Sequence, residues 1–386
     1  MFPKPFIEKN ELFGTGSIKN VAEIIKINRF KRLLVITGNQ SYQSSGLKKA
    51  LEPQLKNTEY LIVSDFEVNP KYEDIKRIGK SLEAKKFDLI IAGGGGSAID
   101  FAKCLNVYLS TKKNNDRDGI IDSSLLKGKF LPMMAIPTTA GTGSEATHFA
   151  VAYINKIKIS IAHEALRPQY AIIDPVFCYA SPRYISACCA FDAMCQAIES
   201  FWSKNATDNS KKFAEKAIQL ISTNIVKAIQ EDCHKARDNL SLGSFLAGKA
   251  INISKTTAPH ALSYSLTSFF KIPHGHAVAL TLGKFFTLNE SYELQHSISK
   301  KIGLINHVNN LKEIKAHLGW HDQLSFEAQW QKLMLECGLE IKIPKENMPN
   351  VDLGDLIQSV NEERLSNHPV KITRKIISEV YAQLIN

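Results

Sequence analysis

The chain has 386 residues and a mass of 43.0 kDa, a length that predicts about two domains. Hydrophobic residues make up 44% and charged residues 22%, a globular composition that argues against disorder, collagen-like repeats and coiled coil. The formal net charge is +10, but the lysines occur in scattered doublets rather than in one continuous block. This distribution favours a solvated basic surface over a nucleic-acid site, and it leaves attraction of anionic small molecules open.

Hydropathy and cysteine usage indicate where the protein resides. No apolar run approaches the roughly 18–20 residues needed to cross a bilayer, and the first residues lack the apolar core of a signal peptide. The seven cysteines are irregularly spaced and include no C-x-x-C pair, so we expect reduced, small hydrophobic side chains. We therefore expect a cytoplasmic protein with neither a membrane nor a nucleic-acid partner.

Strand and helix signals alternate in the first half of the chain. Short apolar, β-branched runs at residues 32–37, 60–64, 87–92 and 131–137 are separated by helical segments, which predicts a parallel sheet built from βαβ units. After residue 175, long helical patterns at 185–203, 211–233 and 239–253 dominate. The expected organisation is an α/β domain over residues 1–178 and an all-helical domain over residues 179–386.

A glycine run, residues 93–97, joins a predicted strand to a predicted helix. Glycines there let the backbone approach a pyrophosphate, whose charge the helix N-terminus favours. Ser97 and Asp100 follow in the first helical turn. The spacing is not G-x-G-x-x-G, and a plain tight turn is the alternative interpretation, although four successive glycines are costly in folding entropy.

A threonine-rich loop, residues 137–145, directly follows another buried strand. It would lie at the carboxyl edge of the sheet, where open α/β sheets bind ligands. Together with the glycine run about 40 residues earlier, it predicts a dinucleotide site.

A third group of residues suits a metal ion. Asp192 and Gln196 are four apart on a predicted helix and so project from one face, while His260 and His274 follow later in the chain. Oxygen and imidazole ligands suit iron(II) or zinc. Spacing alone is weak support, because eleven histidines allow chance pairs and a lone histidine is often a core residue.

Taken in order, the motifs at 93–103, 137–145, 174–175, 192–203 and 260–276 resemble the iron-containing (group III) alcohol dehydrogenase family, and the likeness extends to residues 362–369. The resemblance implies a Rossmann-like parallel-sheet domain followed by a helical metal-binding domain, a dehydroquinate synthase-like fold. It implies an NAD(P)-dependent alcohol dehydrogenase or aldehyde reductase that transfers hydride with the help of a divalent metal, iron or zinc. It also implies a homodimer.

The same resemblance assigns roles by motif. The dinucleotide would contact Gly94, Gly95, Gly96, Ser97, Asp100, Thr138, Thr139, Thr142 and Lys158. The metal would be held by Asp192, His260 and His274, with Gln196 at a position where most metal-dependent members have histidine. NADH and NADPH both remain open, because the acidic residue that usually contacts the adenosine ribose is absent after Thr37.

The proton relay is the second departure from the family. Tyr264 stands where a second histidine is usual, so Tyr264, His276 and His148 are the catalytic candidates, and the two histidines are equally readable as structural.

The local sequences resemble the phosphonoacetaldehyde reductase subgroup, which produces 2-hydroxyethylphosphonate. Lys255 and Thr257 place unusual polarity just before a metal ligand, which suits a phosphonate dianion, unless Lys255 only reaches solvent or pairs with an acid. The alternatives are a general alcohol dehydrogenase, an oxidase of a terminal sugar-acid hydroxyl (3-deoxy-octulosonate type), a dehydroquinate synthase-like lyase, and a non-catalytic binding protein.

Overall fold

The computed structural model describes residues 6–110, 129–154, 157–291, 297–320, 324–343, 353–360 and 362–385. The chain divides into two compact units, Met1–Ser181 and Pro182–Asn386. The division falls three residues after the boundary expected at residue 178.

The first unit is built on a six-stranded sheet with the strand order β1-β8-β5-β4-β2-β3, in which every neighbouring pair is parallel. Two further strands, β6 and β7, form a separate antiparallel pair. The strands are β1 (Glu11–Phe13), β2 (Arg32–Thr37), β3 (Glu59–Val63), β4 (Leu89–Gly94), β5 (Met133–Pro137), β6 (Phe149–Ile154), β7 (Ile157–Ala162) and β8 (Tyr170–Ile173). The predicted parallel sheet is confirmed.

Helices and 3-10 turns connect these strands. The helices are α1 (Val21–Asn28), α2 (Asn39–Ser44), α3 (Leu47–Leu51), α4 (Tyr72–Leu82) and α5 (Gly96–Ser110). The 3-10 turns are Ser17–Asn20, Glu52–Leu55, Ser144–Ala146, Glu164–Leu166 and Pro175–Cys178.

The central strands are apolar along their length because both sheet faces are covered. In β2, Leu34 and Ile36 belong to one core cluster, while Leu33 and Val35 belong to a second. This split follows the two-residue period of a strand, which sends successive side chains to opposite faces. The carboxyl ends of β4 and β5 carry the glycine run and the threonine-rich loop, so the sheet brings the two motifs to one edge.

The second unit is helical in the part that the structure describes, apart from one bridge between Ile298 and Val370. Its helices are α6 (Arg183–Trp202), α7 (Asp208–Ser222), α8 (Ile225–Gln230), α9 (His234–Ser254), α10 (Ala258–Phe270), α11 (His274–Glu290), α12 (Leu304–Leu318), α13 (Phe326–Glu336), α14 (Leu353–Gln358), α15 (Glu362–Ser366) and α16 (Arg374–Ile385). Among the described residues, no helix has the length and apolarity that crossing a bilayer requires.

Candidate functional site

Three predicted metal ligands from three different helices meet in the second unit. Nε2 of His260 lies 3.2 Å from Oδ1 of Asp192, and Nε2 of His274 lies 3.9 Å from the same oxygen. One ligand atom from each residue lies within 4.8 Å of the other two. Ligands of a tetrahedral ion with bonds of about 2.1 Å are roughly 3.4 Å apart, so this cluster has the spacing that a single divalent ion requires.

A glycine allows two of these helices to approach. Gly275 is the second residue of α11, and a Cβ built there would lie 1.9 Å from the carbonyl oxygen of Cys188 in α6. Only a residue without a side chain fits, because the obstacle is backbone that cannot rotate away. Gly275 therefore lets His274 reach the segment of α6 that carries Asp192.

Glu199 orients the ligand His260. Its side chain is fully buried, and Oε1 makes a short contact with Nδ1 of His260. Its other oxygen accepts hydrogen bonds from the backbone N–H of Thr257 at 2.7 Å and from the Thr257 hydroxyl at 2.8 Å. A carboxylate on one imidazole nitrogen fixes the tautomer and leaves the other nitrogen for the metal, as in carboxylate–histidine–metal triads.

The electrostatics of His260 also suit a cation. Burial lowers the pKa of His260, but the charges and hydrogen bonds of Glu199 and Asp192 outweigh that effect and raise it to about 9. The two carboxylates thus favour positive charge at this ring. A bound divalent ion would supply that charge in place of a proton, since metal ligation requires the neutral ring. The donor chemistry and spacing therefore fit a divalent metal ion.

The ligand His274 is more open and is packed against an aromatic side chain. Its side chain is 31% exposed, and Oγ of Ser263 lies 3.3 Å from its Nδ1. The ring of Tyr264 stacks on it with a centroid distance of 5.7 Å and an interplanar angle of 23°. Of the three proton-relay candidates, Tyr264 is the one that contacts a metal ligand.

A guanidinium covers the same aromatic ring. The Cζ atom of Arg364 lies 5.7 Å from the centroid of the Tyr264 ring, a cation–π distance. Its Nη1 makes a short hydrogen bond to the hydroxyl of Thr256. Asn367 ties the same segment down by donating to the carbonyls of Ser254 and Thr256 at 2.8 and 3.0 Å.

Residues 255–257 link Arg364 to the predicted ligand His260, because Thr256 contacts Arg364 and Thr257 contacts Glu199. Lys255 has φ 61°, a conformation that is strained for a side chain of its size. Thr256 accepts from Arg364, while the Thr257 hydroxyl is held between Glu199 and the indole N–H of Trp202, 3.0 Å away. Thr257 therefore binds Glu199, the residue that supports His260, whereas Thr256 contacts the Arg364 guanidinium and Lys255 directly precedes Thr256 in the chain.

The remaining candidates of the second unit are buried. Gln196 is 4% exposed and lies one turn beyond Asp192 on α6. His276 is 1% exposed; Oη of Tyr184 lies 3.0 Å from its Nδ1, and the carbonyl of Glu340 lies 2.7 Å from its Nε2. Burial lowers the pKa of His276, so the ring is a neutral bridge with both nitrogens engaged. This geometry favours the structural interpretation of His276 over the relay.

His148 belongs to the first unit. Its Nδ1 lies 3.4 Å from the carboxylate of Glu164, and its ring packs on Phe149. Both contacts are with residues of the same unit.

The first unit brings the glycine run and the threonine-rich loop into direct contact. A Cβ at Gly95 would lie 3.3 Å from Cγ2 of Thr139, and one at Gly96 would lie 2.7 Å from Cγ2 of Thr142. The backbone N–H of Thr138 donates to the carbonyl of Gly94 at 3.0 Å, and φ of Gly94 is 156°. The two loops thus form one surface of small side chains and backbone at the N-terminus of α5, the environment that a pyrophosphate requires.

Not all of the predicted dinucleotide contacts point to a ligand. Asp100 accepts hydrogen bonds from the Ser144 hydroxyl at 2.5 Å and from the backbone N–H of Val151 at 3.0 Å, which indicates a structural role. The Ser97 hydroxyl accepts from the N–H of Asn69 at 3.2 Å. Lys158 lies in β7, where its backbone pairs with Tyr153 of β6, and its side chain is outside the part that the structure describes.

Sequence reasoning missed Glu199, Arg364 and the buried Lys103. A signal existed for Glu199, which is seven residues after Asp192 and so shares its helix face. No local signal identified Arg364, which follows Tyr264 by 100 residues. Its position depends on how the segment at 362–369 folds back.

Two family models match the chain. Residues 9–175 match the iron-containing alcohol dehydrogenase model, and residues 186–385 match the C-terminal model of the same family. The chain is 33% identical over 274 residues to long-chain-alcohol dehydrogenase 1 of Geobacillus thermodenitrificans, covering 70% of this chain and 69% of the relative.

Solved structures agree with this similarity. An iron-containing alcohol dehydrogenase from Thermotoga maritima superposes with a TM-score of 0.83 at 28% identity, over 98% of each chain. The sulfoacetaldehyde reductase of Bifidobacterium kashiwanohense, solved with NAD+, superposes with a TM-score of 0.84 at 27% identity, over 97% of this chain and 96% of the other.

Proposed function

This chain belongs to the iron-containing alcohol dehydrogenase family, and from that premise we propose that it reduces phosphonoacetaldehyde to 2-hydroxyethylphosphonate. At the coarser level it is an NAD-dependent oxidoreductase of alcohols and aldehydes, and its family binds NAD(H) and a divalent metal, usually iron. The finer proposal concerns the group that the substrate carries beside its aldehyde.

One observation carries the finer proposal: the guanidinium of Arg364 packs on Tyr264, the aromatic ring that stacks on His274. Arg364 covers Tyr264, which stacks on His274, and Lys255 precedes the threonine that Arg364 contacts. A planar guanidinium and an ammonium with nearby hydroxyls suit a tetrahedral oxyanion.

The backbone of Lys255 supports the same proposal. A non-glycine residue at φ 61° costs about 1–3 kcal/mol, which a glycine at this position would avoid. A lysine retained under that strain is consistent with a side chain that binds a ligand.

Asp192, His260 and His274 would hold the metal, which would supply Lewis-acid activation of the carbonyl oxygen, and a reduced nicotinamide would supply the hydride. The protein's own part is positioning. Glu199 holds the His260 ring, Asp192 brings negative charge to the ligand set, and Tyr264 packs against the His274 ring. The reduction also consumes one proton, which can enter from solvent on the side where His274 is 31% exposed.

Sulfoacetaldehyde is the second candidate substrate. The reductase of Bifidobacterium kashiwanohense named for that aldehyde covers nearly the whole chain at 27% identity. A sulfonate has one negative charge where a phosphonate at neutral pH has nearly two, so both suit a cationic pocket to different degrees.

The test is cofactor oxidation by enzyme reconstituted with iron or zinc. Phosphonoacetaldehyde, sulfoacetaldehyde and propanal are compared, each with NADH and with NADPH. We expect kcat/KM to be highest for phosphonoacetaldehyde. Equal or better turnover of propanal would leave a general alcohol dehydrogenase, and turnover of none would direct attention to sugar acids, to phosphate-releasing lyase chemistry or to a binding protein.

Two variants test the anion pocket itself. Arg364→Ala and Lys255→Ala should each raise KM for the phosphonate aldehyde about tenfold or more and leave that for propanal nearly unchanged, because each loses a charge-assisted contact. Arg374→Ala and Lys235→Ala remove exposed cations of the same unit and serve as matched controls. An equal rise in KM for both aldehydes in the pocket variants would contradict the anion pocket.

A further inference from the structure

Lys103 is a fully buried cation in the first unit. It lies on α5, which begins at the glycine run, and its side chain has 0% exposure. A buried ammonium loses its hydration, and the loss is large unless protein groups replace the water. A residue retained at that cost in a core position requires an explanation that packing alone does not provide.

The Lys103 ammonium is surrounded by oxygens of one short segment. Nζ donates to the carbonyls of Ser144, Thr147 and Phe149 at 2.7, 2.8 and 2.7 Å. It also lies 3.0 Å from the Ser144 hydroxyl and 3.2 Å from the Thr147 hydroxyl. One side chain on α5 thus gathers the carbonyls of residues 144–149 around a single charge.

Asp100 holds the same segment from one turn earlier on α5. It accepts from the Ser144 hydroxyl and from the N–H of Val151. Lys103 satisfies carbonyls while Asp100 satisfies donors, so the two residues together fix residues 144–151 against the helix.

This segment is the direct continuation of the threonine-rich loop. Thr142, two residues before Ser144, packs on Gly96, and its hydroxyl accepts from the N–H of Ser144 at 3.3 Å. Any movement of residues 144–149 therefore shifts Thr142 relative to the glycine run.

We propose that Lys103 is a positioning residue that holds the loop at 138–142 against the glycine run and so sets the affinity of the first unit for its dinucleotide. The inference rests on the proposed function only in requiring a dinucleotide site in this unit. Lys103 does not touch the ligand; it acts through Ser144 and Thr147.

The decisive variant is Lys103→Met, which keeps an unbranched apolar side chain, one atom shorter, and removes the charge. The full-length variant is titrated with NADH and NADPH by fluorescence, without aldehyde, and its metal content and thermal midpoint are measured in parallel. We expect the Kd of the preferred dinucleotide to rise about tenfold or more, since several charge-assisted hydrogen bonds are lost. Metal content and KM for the aldehyde should stay near the wild-type values.

Two controls separate positioning from loss of stability. Leu105→Ala makes a cavity in the core of the same helix, and Lys249→Met removes another buried lysine, which lies over Phe213 in the second unit. Both should lower the thermal midpoint and leave the dinucleotide Kd unchanged. If Leu105→Ala raises Kd as much as Lys103→Met, the role of Lys103 is only structural.

A milder variant is available in case Lys103→Met does not fold. Ser144→Ala removes the hydroxyl that both Lys103 and Asp100 contact but keeps the carbonyls, and it should raise Kd about threefold. An unchanged Kd in both variants, or in Ser144→Ala if only that variant folds, overturns the inference. A wild-type protein that binds neither dinucleotide overturns the proposed function as well.

Discussion

The predicted dinucleotide surface of the first unit and the predicted metal cluster of the second unit are built from different kinds of residues. In the first unit, the glycine run and the threonine-rich loop are contiguous stretches of small residues that offer mainly backbone and hydroxyl groups. In the second unit, the predicted ligands Asp192, His260 and His274 are polar side chains from three helices, and Glu199 and Ser263 contact the two histidines. Small residues make a binding surface because they have no large side chains to block the backbone, whereas metal ligands depend on neighbouring side chains that orient them.

The largest expected effect concerns the metal ligands themselves. His260→Ala should lose the bound metal and lower kcat by a factor on the order of 10³ or more, since a Lewis acid supplies several kcal/mol of transition-state stabilisation. The dinucleotide Kd should stay near the wild-type value. Metal analysis together with dinucleotide titration checks both, and a metal-free variant with full activity would refute the assignment.

The residue that supports His260 should matter nearly as much. Glu199→Gln keeps the shape but removes the charge beside Nδ1, so we expect metal affinity to fall about 10- to 100-fold. Competition with a chelator measures this affinity. Glu336→Gln, an acid 42% exposed that faces Lys332, is the matched control and should behave as wild type. An unchanged affinity in Glu199→Gln would mean that His260 is oriented without its carboxylate partner.

The dinucleotide surface of the first unit should also respond to added volume at its glycines. Gly96→Ala places a Cβ 2.7 Å from Cγ2 of Thr142, and because that methyl can move, we expect the fold to persist. The displaced threonine should raise the dinucleotide Kd about three- to tenfold, with metal content unchanged. Gly283→Ala, where the nearest atom is 3.2 Å away on Trp330, is the control in the second unit. Loss of metal in Gly96→Ala would contradict the expectation that the dinucleotide surface and the metal cluster respond independently.

The smallest expected effect is on stability in acid. Burial lowers the pKa of His307 and, further, that of His368; the ring of His368 packs on Trp202, and its Nε2 lies 3.1 Å from Oδ1 of Asn289. The unfolded chain protonates both near pH 6.5, so between that pH and the lowered native values it binds more protons than the folded protein. The free energy of unfolding should therefore fall as the pH drops below about 6.5.

His368→Gln isolates this contribution, because an amide can still donate to Asn289 but does not titrate in this range. Thermal midpoints at pH 7.5 and 5.5 should fall less in the variant than in the wild type. His234→Gln, at an exposed position, is the control. The metal ligands titrate equally in all three proteins, so a difference between the variants reports His368, and an identical acid response would show that its burial does not destabilise the fold in acid.

The sequence by itself determined much of the first unit. Strands β2, β4 and β5 are continuous apolar runs because both faces of a parallel sheet are buried, and that burial is readable residue by residue. Strands β1, β6, β7 and β8 were not predicted, although β6 is a continuous apolar run and β7 alternates apolar and polar residues. The glycine run and the threonine-rich loop could also be identified from the sequence, since each is contiguous and follows a predicted strand.

Only the tertiary structure decided the supporting residues. Glu199, Arg364 and Lys103 lie in segments that carry the family resemblance, but no role was predicted for them. Their roles appear when the fold brings a carboxylate to His260, a guanidinium to Tyr264 and an ammonium to Ser144. It likewise showed His276 as a bridge between Tyr184 and Glu340 rather than a free acid. The sequence does not show which distant residue a side chain will contact, because hydrogen bonds and ion pairs form between neighbours in space. The packing of helices, strands and loops in the folded chain sets those neighbours.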